Sequence, residues 1–138
     1  MPAFEILEHP ADIGFRVRGP SLAALFENAA LAMVSIACEV EKVRPAAEFP
    51  FSATGADTEL LLVNWLSEVL WWSDAKRIAF REFRVGQIDA AHVSGIGLGE
   101  PWDPARHRAK LIIKAVTYHQ LKVAETPEGW LAEVFLDV

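Results

Sequence analysis

The chain has 138 residues, 52% of them hydrophobic, with 13 Lys and Arg against 19 Asp and Glu for a formal net charge of −6. That length suits a single domain, residues 1–138, with a core of its own. The negative balance excludes a general basic surface for nucleic acid, because such binding needs Lys and Arg to displace counterions from phosphates.

The start of the chain, Met1 to Pro10, lacks the basic residues and the continuous apolar run of a secretory signal. The most apolar stretch, around Ala29 to Cys38, is roughly half of the ~20 residues that span a bilayer, so no membrane segment is expected. Cys38 is the single cysteine. It cannot form an intramolecular disulfide, and the fold therefore needs no oxidising compartment. These features fit a cytoplasmic protein.

From Ile13 to Arg18, apolar Ile13, Phe15 and Val17 alternate with Gly14, Arg16 and Arg18, the period of a strand with one buried face. Gly19-Pro20 ends it. Ser21 is placed to cap a helix whose apolar positions Leu22, Leu25, Phe26, Ala29, Ala30, Met33, Ile36 and Ala37 follow helical spacing. Prolines and alternating aromatics between Val43 and Ser52 predict an edge strand, since proline cannot donate to a central ladder. Asp57 is placed to cap a second helix, about Thr58 to Ser73, apolar on nearly all sides except a stripe of Asn64, Ser67 and Glu68. Such a helix is buried between layers or against a partner. Alternating or apolar runs then follow at Ala79–Ile88, His92–Leu98, Lys110–Tyr118, Leu121–Ala124 and Trp130–Leu136, which read as mostly antiparallel strands. The fold class is α+β, with two long helices packed on a mostly antiparallel or mixed β-sheet.

Few chemical signatures are present. Gly95-Ile-Gly-Leu-Gly-Glu has the wrong glycine spacing for a dinucleotide loop, and Pro101 and Pro104 stand where a helix would have to begin. It reads as a glycine-rich strand and turn with bulges. There is no P-loop, zinc-type cysteine pair or nucleophile elbow. The histidines, at positions 9, 92, 107 and 119, form no close helical pair of the kind that binds zinc. His9 and Asp12 could share a metal, though an Asp that caps its own loop is the commoner case. Asp137 and the α-carboxylate of Val138 concentrate negative charge at the end of the sequence. Were a fold to bring Asp12 there, the group would offer hard oxygen donors suited to Ca²⁺ or Mg²⁺; spacing alone does not bring it there. Trp65, Trp71 and Trp72 on the second helix are either core residues or a partner-binding surface, with Trp71 or Trp72 the more exposed.

The segment Glu8-His9-Pro10-Ala11-Asp12-Ile13-Gly14 resembles the archease signature of Glu-His-Thr-Ala-Asp-Ile-Gly type. Ser21-Leu22 through Leu25-Phe26-Glu27-Asn28-Ala29-Ala30, Asp57-Thr58-Glu59-Leu60-Leu61 through Asn64-Trp65-Leu66-Ser67-Glu68-Val69-Leu70, Gly99-Glu100, Lys114-Ala115-Val116-Thr117-Tyr118-His119 and Phe135-Leu136-Asp137-Val138 continue the resemblance in order along the chain. Pro10 departs from the usual threonine, which removes a hydroxyl and a backbone donor and favours an extended His9. The resemblance implies an accessory protein, not an enzyme, that activates an RtcB-type RNA ligase in tRNA splicing or RNA repair, meeting RNA only through the ligase. It also implies a divalent-metal site, calcium or alternatively magnesium or manganese, made by Asp12, Asp137 and Val138. Lys114, His119 and Trp72 are further candidates for partner contact, against the plainer roles of a solvated lysine, a strand-end histidine and a core tryptophan. The rival readings are a general chaperone-like binding module and a metal-dependent hydrolase using Asp12 and Asp137, although no separate nucleophile or base stands beside them.

Overall fold

The computed structural model describes residues 3–8 and 12–138. His9, Pro10 and Ala11 lie outside the described residues, and with them the His9 metal reading and the Pro10 departure.

The two predicted helices form with the predicted caps. In α1, Leu22–Ala37, the Ser21 hydroxyl accepts from the Ala24 N–H at 3.1 Å. In α2, Thr58–Ala75, the Asp57 carboxylate accepts from the Leu60 N–H at 2.8 Å. Each cap satisfies a donor that the first helical turn leaves unpaired. The nearly all-round apolarity of α2 is explained by its neighbours: Leu61, Leu62, Trp65, Leu66 and Val69 are fully buried, and α2 touches α1 and strands of both sheets. The Trp65 indole N–H donates to the Phe26 carbonyl at 3.1 Å, tying the helices together inside the core. On the polar stripe, the Asn64 amide donates to the Thr54 carbonyl at 2.6 Å.

The strands divide into two antiparallel sheets rather than the single sheet expected. The first is ordered β1 (Phe4–Glu8), β2 (Asp12–Gly19), β8 (Gly129–Asp137), with β6 (Ala115–Val116) and β7 (Lys122–Thr126) both on the far edge of β8. The second is ordered β3 (Ala47–Thr54), β5 (His92–Pro101), β4 (Ile78–Ile88). A 3₁₀ turn at Val40–Lys42 precedes β3, so that strand starts later than its apolar pattern suggests. As predicted, it is an edge strand and carries Pro50. β1, not foreseen, pairs with β2 from Phe4↔Val17 to Glu8↔Ile13. One continuous core joins Phe15, Val17, Val134 and Leu136 of the first sheet to Phe51, Phe80 and Phe83 of the second through both helices.

The predicted strand Lys110–Tyr118 shrinks to Ala115–Val116. The N–H groups of Lys110 and Leu111 are both taken by the Ala37 carbonyl at the end of α1, at 2.8 and 3.4 Å, and Cys38 bridges Ala109. The segment is thus laid against a helix end before it can join a ladder.

The glycine run of β5 is a steric necessity. At Gly95 a Cβ would collide with the Arg84 carbonyl oxygen, at Gly99 with that of Ala79, and at Gly97 with the Phe51 and Phe80 rings at 2.8 Å. The neighbouring β4 shifts register between Phe80 and Glu82 and between Val85 and Gln87. Those bulges push its backbone over β5, and only glycine fits beneath.

Beyond Gly99, Glu100 organises the following loop. Its buried carboxylate accepts from Arg106 Nη1 and Nη2 at 3.0 and 2.7 Å and from the Arg44 N–H at 2.8 Å, and His107 Nε2 lies 2.8 Å away. The Asp103 N–H donates to His107 Nδ1 at 2.8 Å. That bond fixes the neutral ring with its proton on Nε2, aimed at Glu100.

Gly95→Ala should destabilise the fold by about 1–3 kcal/mol through overpacking. Gly86→Ala, whose Cβ meets nothing closer than 3.7 Å, should stay within about 0.5 kcal/mol of the parent. Urea unfolding of the two variants checks the contrast. The hydrogen bond from Arg106, helped by the Arg44 N–H and His107 and opposed by burial, holds the Glu100 carboxyl well below the usual carboxylate range. A depressed folded-state pKa contributes stability above the unfolded value, about pH 4.3, and the contribution is lost as pH falls towards the folded one. The Tm difference between parent and Glu100→Gln should accordingly be constant at neutral pH and shrink below about pH 4. A difference unchanged into strong acid would refute this account of Glu100.

Candidate functional site

The β2–β8 pairing runs without interruption from Gly19↔Trp130 to Asp12↔Asp137. Its two faces differ. Ile13–Leu136, Phe15–Val134 and Val17–Ala132 carry the inward pairs, and Phe15, Val17, Ala132, Val134 and Leu136 are buried. The alternate pairs, Asp12–Asp137, Gly14–Phe135 and Arg16–Glu133, lie on the other face.

On that outer face the charges in the middle of the sheet are balanced. Arg16 meets Glu5 at 3.4 Å and Glu133 at 3.3 Å, and Arg18 meets Glu5 at 3.2 Å. At the end of the ladder the pattern changes. Asp12 and Asp137 are directly opposite each other, so two carboxylates share one cross-strand position, an arrangement that is destabilising on its own. Among the described residues, no ion pair involves either of them.

Next to this pair, the Phe135 ring occupies the space that a side chain at Gly14 would fill: a Cβ there would come within 2.6 Å of the ring. Phe135 is buried, and His119 packs edge-on against it with ring centroids 6.1 Å apart. Thr117 donates its N–H and its hydroxyl to the Phe135 carbonyl, both at 3.0 Å, and accepts from the His119 N–H at 3.2 Å. The Lys114 N–H donates to the Asp137 carbonyl at 2.8 Å, and Ala115 is in register with Asp137. Val138 packs its side chain against the core, which anchors the main chain beside Asp137.

The structure therefore gathers Asp12, Asp137, Val138, Lys114 and His119 at one end of the five-stranded sheet. Lys114 and His119 have exposed side chains. Trp72 belongs elsewhere: it is half-buried, 5.4 Å from Phe49 and 6.2 Å from Phe51 between ring centroids. Trp71 is the outward tryptophan of α2, 48% exposed, with the Lys76 amine 5.5 Å from its ring centroid. Trp65 is core.

The donor set at the sheet end consists of carboxylate and main-chain oxygens, the chemistry of a hard cation such as Ca²⁺ or Mg²⁺. Among the described residues, no group of three or more His, Cys, Asp and Glu side chains is close enough to hold a metal. Any such site must then complete itself with main-chain or terminal oxygens, or with groups beyond the described residues.

The sequence profile of the archease protein family (MTH1598/TM1083) matches residues 4–138. The chain belongs to the archease family. It is 39% identical to the protein archease of Methanosarcina mazei, over 98% of this chain and 95% of the relative. It is 36% identical to the protein archease of Pyrococcus furiosus over the full length of both chains. The solution structure of Methanobacterium thermoautotrophicum protein 1598 superposes with a TM-score of 0.86 at 34% identity, covering all of both chains. A Thermotoga maritima crystal structure, described as an archease and possible chaperone, shares the fold at a TM-score of 0.58 and 22% identity over 96% of this chain and 94% of its own. No helix among the described residues of this archease is long and apolar enough to cross a membrane.

Sequence alone assigns Gly14 no role, because its neighbour Phe135 lies far off in the chain. Gly14→Ala should displace the Phe135 ring and cost about 1–3 kcal/mol by overpacking. It should also shift the His119 ring resonances in an NMR spectrum, and unmoved resonances in a fully folded variant would contradict this packing.

Proposed function

We propose that this archease activates an RtcB-type RNA ligase in the cytoplasm, as an accessory protein and not an enzyme, using a divalent cation held by Asp12, Asp137 and an oxygen of Val138. The observation that carries this reading is the Asp12↔Asp137 register. It opposes two carboxylates that have no ion-pair partner among the described residues, and a bound cation would offset their repulsion.

In this reading Asp12 and Asp137 bind through side-chain oxygens, while Val138 contributes a main-chain or terminal oxygen. The Phe135 ring on Gly14, braced by Thr117 and His119, keeps the two strands in register so that the carboxylates stay opposed. Lys114 is fixed to the Asp137 carbonyl by its N–H, leaving its amine for an anionic group of the partner. A cation presented here would neutralise phosphate charge as the ligase's active-site histidine becomes guanylylated. RNA would be met only through the ligase, in tRNA splicing or RNA repair. Calcium is the first candidate for the cation, with magnesium or manganese as alternatives.

The test is guanylylation and multiple-turnover RNA joining by the RtcB-type ligase of the same organism, with substoichiometric amounts of this protein or its Asp12→Ala variant. Acceleration by the parent, absent from the variant, is expected. Calcium titration calorimetry should in parallel show at least about tenfold weaker binding, some 1.4 kcal/mol, for Asp12→Ala. Equal acceleration by parent and variant would rule out the carboxylate mechanism, and no acceleration by either would rule out the activator reading.

A further inference from the structure

β6 and β7 run along the same edge of β8 as one interrupted strand. Val116 is opposite Leu136 and Lys122 opposite Glu133, so the five residues 117–121 face only the two residues 134 and 135. The surplus is thrown outward as a wide bulge. Tyr118, at its start, is 64% exposed. The Leu121 N–H closes the turn on the Tyr118 carbonyl at 3.2 Å, and Gln120 takes a left-handed φ of 51°, a conformation that residues with side chains seldom adopt. Extra residues at a sheet edge re-aim side chains, and they recur beside functional sites.

The end of the carboxylate ladder is what holds this bulge in place. The Lys114 N–H donates to the Asp137 carbonyl at 2.8 Å, the Thr117 N–H and hydroxyl donate to the Phe135 carbonyl, and the His119 N–H donates to the Thr117 hydroxyl at 3.2 Å. Ala115 and Val116 are in register with Asp137 and Leu136. These bonds end on residues 135–137 or on Thr117 itself, and Val116 is the one buried residue from 114 to 120. The segment therefore moves with the end of β8. That end carries the Asp12↔Asp137 pair, where two like charges facing each other across the strands favour opening. A cation between them favours closure instead.

We infer that the cation held by Asp12 and Asp137 sets the bulge, so that Lys114, Tyr118 and His119 are presented to the partner in one arrangement on cation-loaded molecules and in a spread of arrangements on cation-free ones. The inference rests on the cation reading of Asp12 and Asp137 and adds a regulation to it. A ligand shifts an equilibrium only by its preference for one state. Here the preference has a source, since opening separates the two carboxylates that the cation joins. Cation binding and partner binding then strengthen each other, because both require the closed end of the ladder.

The experiment is native-state amide hydrogen exchange of the intact protein, without calcium and at free calcium about ten times the dissociation constant found by calorimetry. Opening that releases the cation should make exchange at the Lys114, Thr117 and His119 amides about tenfold slower with calcium. The Lys110 and Asp103 amides, bonded to the Ala37 carbonyl and to His107 Nδ1, should not change. Asp12→Asn removes the repulsion together with much of the attraction for the cation. Without calcium its three bulge amides should exchange more slowly than the parent's, and calcium should leave them as they are. Calcium binding by the parent with unchanged bulge amides would overturn the coupling while leaving the metal site standing. Equal slowing of the Lys110 and Asp103 amides would also overturn it, as stabilisation of the whole fold. No calcium binding by the parent would remove the metal reading, and this inference with it.

Discussion

The pairing of β2 with β8 is the constraint on which the rest of the structure depends. It joins the first long strand to the last over eight consecutive positions, Asp12↔Asp137 to Gly19↔Trp130. Its inward face supplies Phe15, Val17, Ala132, Val134 and Leu136 to the core that both helices cover. Its outer face sets the charges in rows. Because side chains alternate along a strand, a slip of one residue would turn the entire apolar set outward. Burial of Phe15 and Val134 therefore locks the register, and the register in turn opposes Asp12 to Asp137. Core packing and candidate site are two readings of one ladder.

The second sheet relates to the core differently. Where β2 and β8 fit by regular alternation, β4 and β5 fit by exception: β4 bulges twice and β5 carries glycines beneath its displaced carbonyls. The space above Gly97 is filled by Phe51 and Phe80, and the aromatic cluster extends to Phe83, Phe49 and Trp72. Glycine on one strand thus makes room for aromatics on its neighbours. Glu100, at the far end of the same strand, then anchors the loop that leads back through Ala109 to α1 and on to Lys114.

Local patterns made much of this legible before any coordinates. Ser21 and Asp57 marked the helix starts, the alternation at Ile13–Arg18 marked a half-buried strand, and Pro50 marked an edge. What escaped were features decided by distant partners. Lys110–Tyr118 has a strand-like pattern, yet the end of α1 captures its backbone first. Division of the strands between two sheets leaves no trace in spacing. Asp12 and Asp137 could be named as candidate donors only conditionally, because the ladder that unites them joins opposite ends of the sequence. Gly14 could not be understood without Phe135, nor Gly95 and Gly99 without the bulged carbonyls above them. The hydrogen-bond network of Glu100, Arg106 and His107 was equally hidden, since short-range sequence gave no reason to expect a buried carboxylate there.

That β2 and β8 lie so far apart in sequence has a consequence for how the molecule is made. A ladder between residues 12–19 and 130–137 closes one of the longest loops the chain can form, a slow class of contact whose entropic cost falls due before its reward. During synthesis β2 emerges well before β8, so its inward face waits for that neighbour. The opposed carboxylates cannot form until both strands have been made. Whatever work they do is reserved for molecules in which the two strands have already paired.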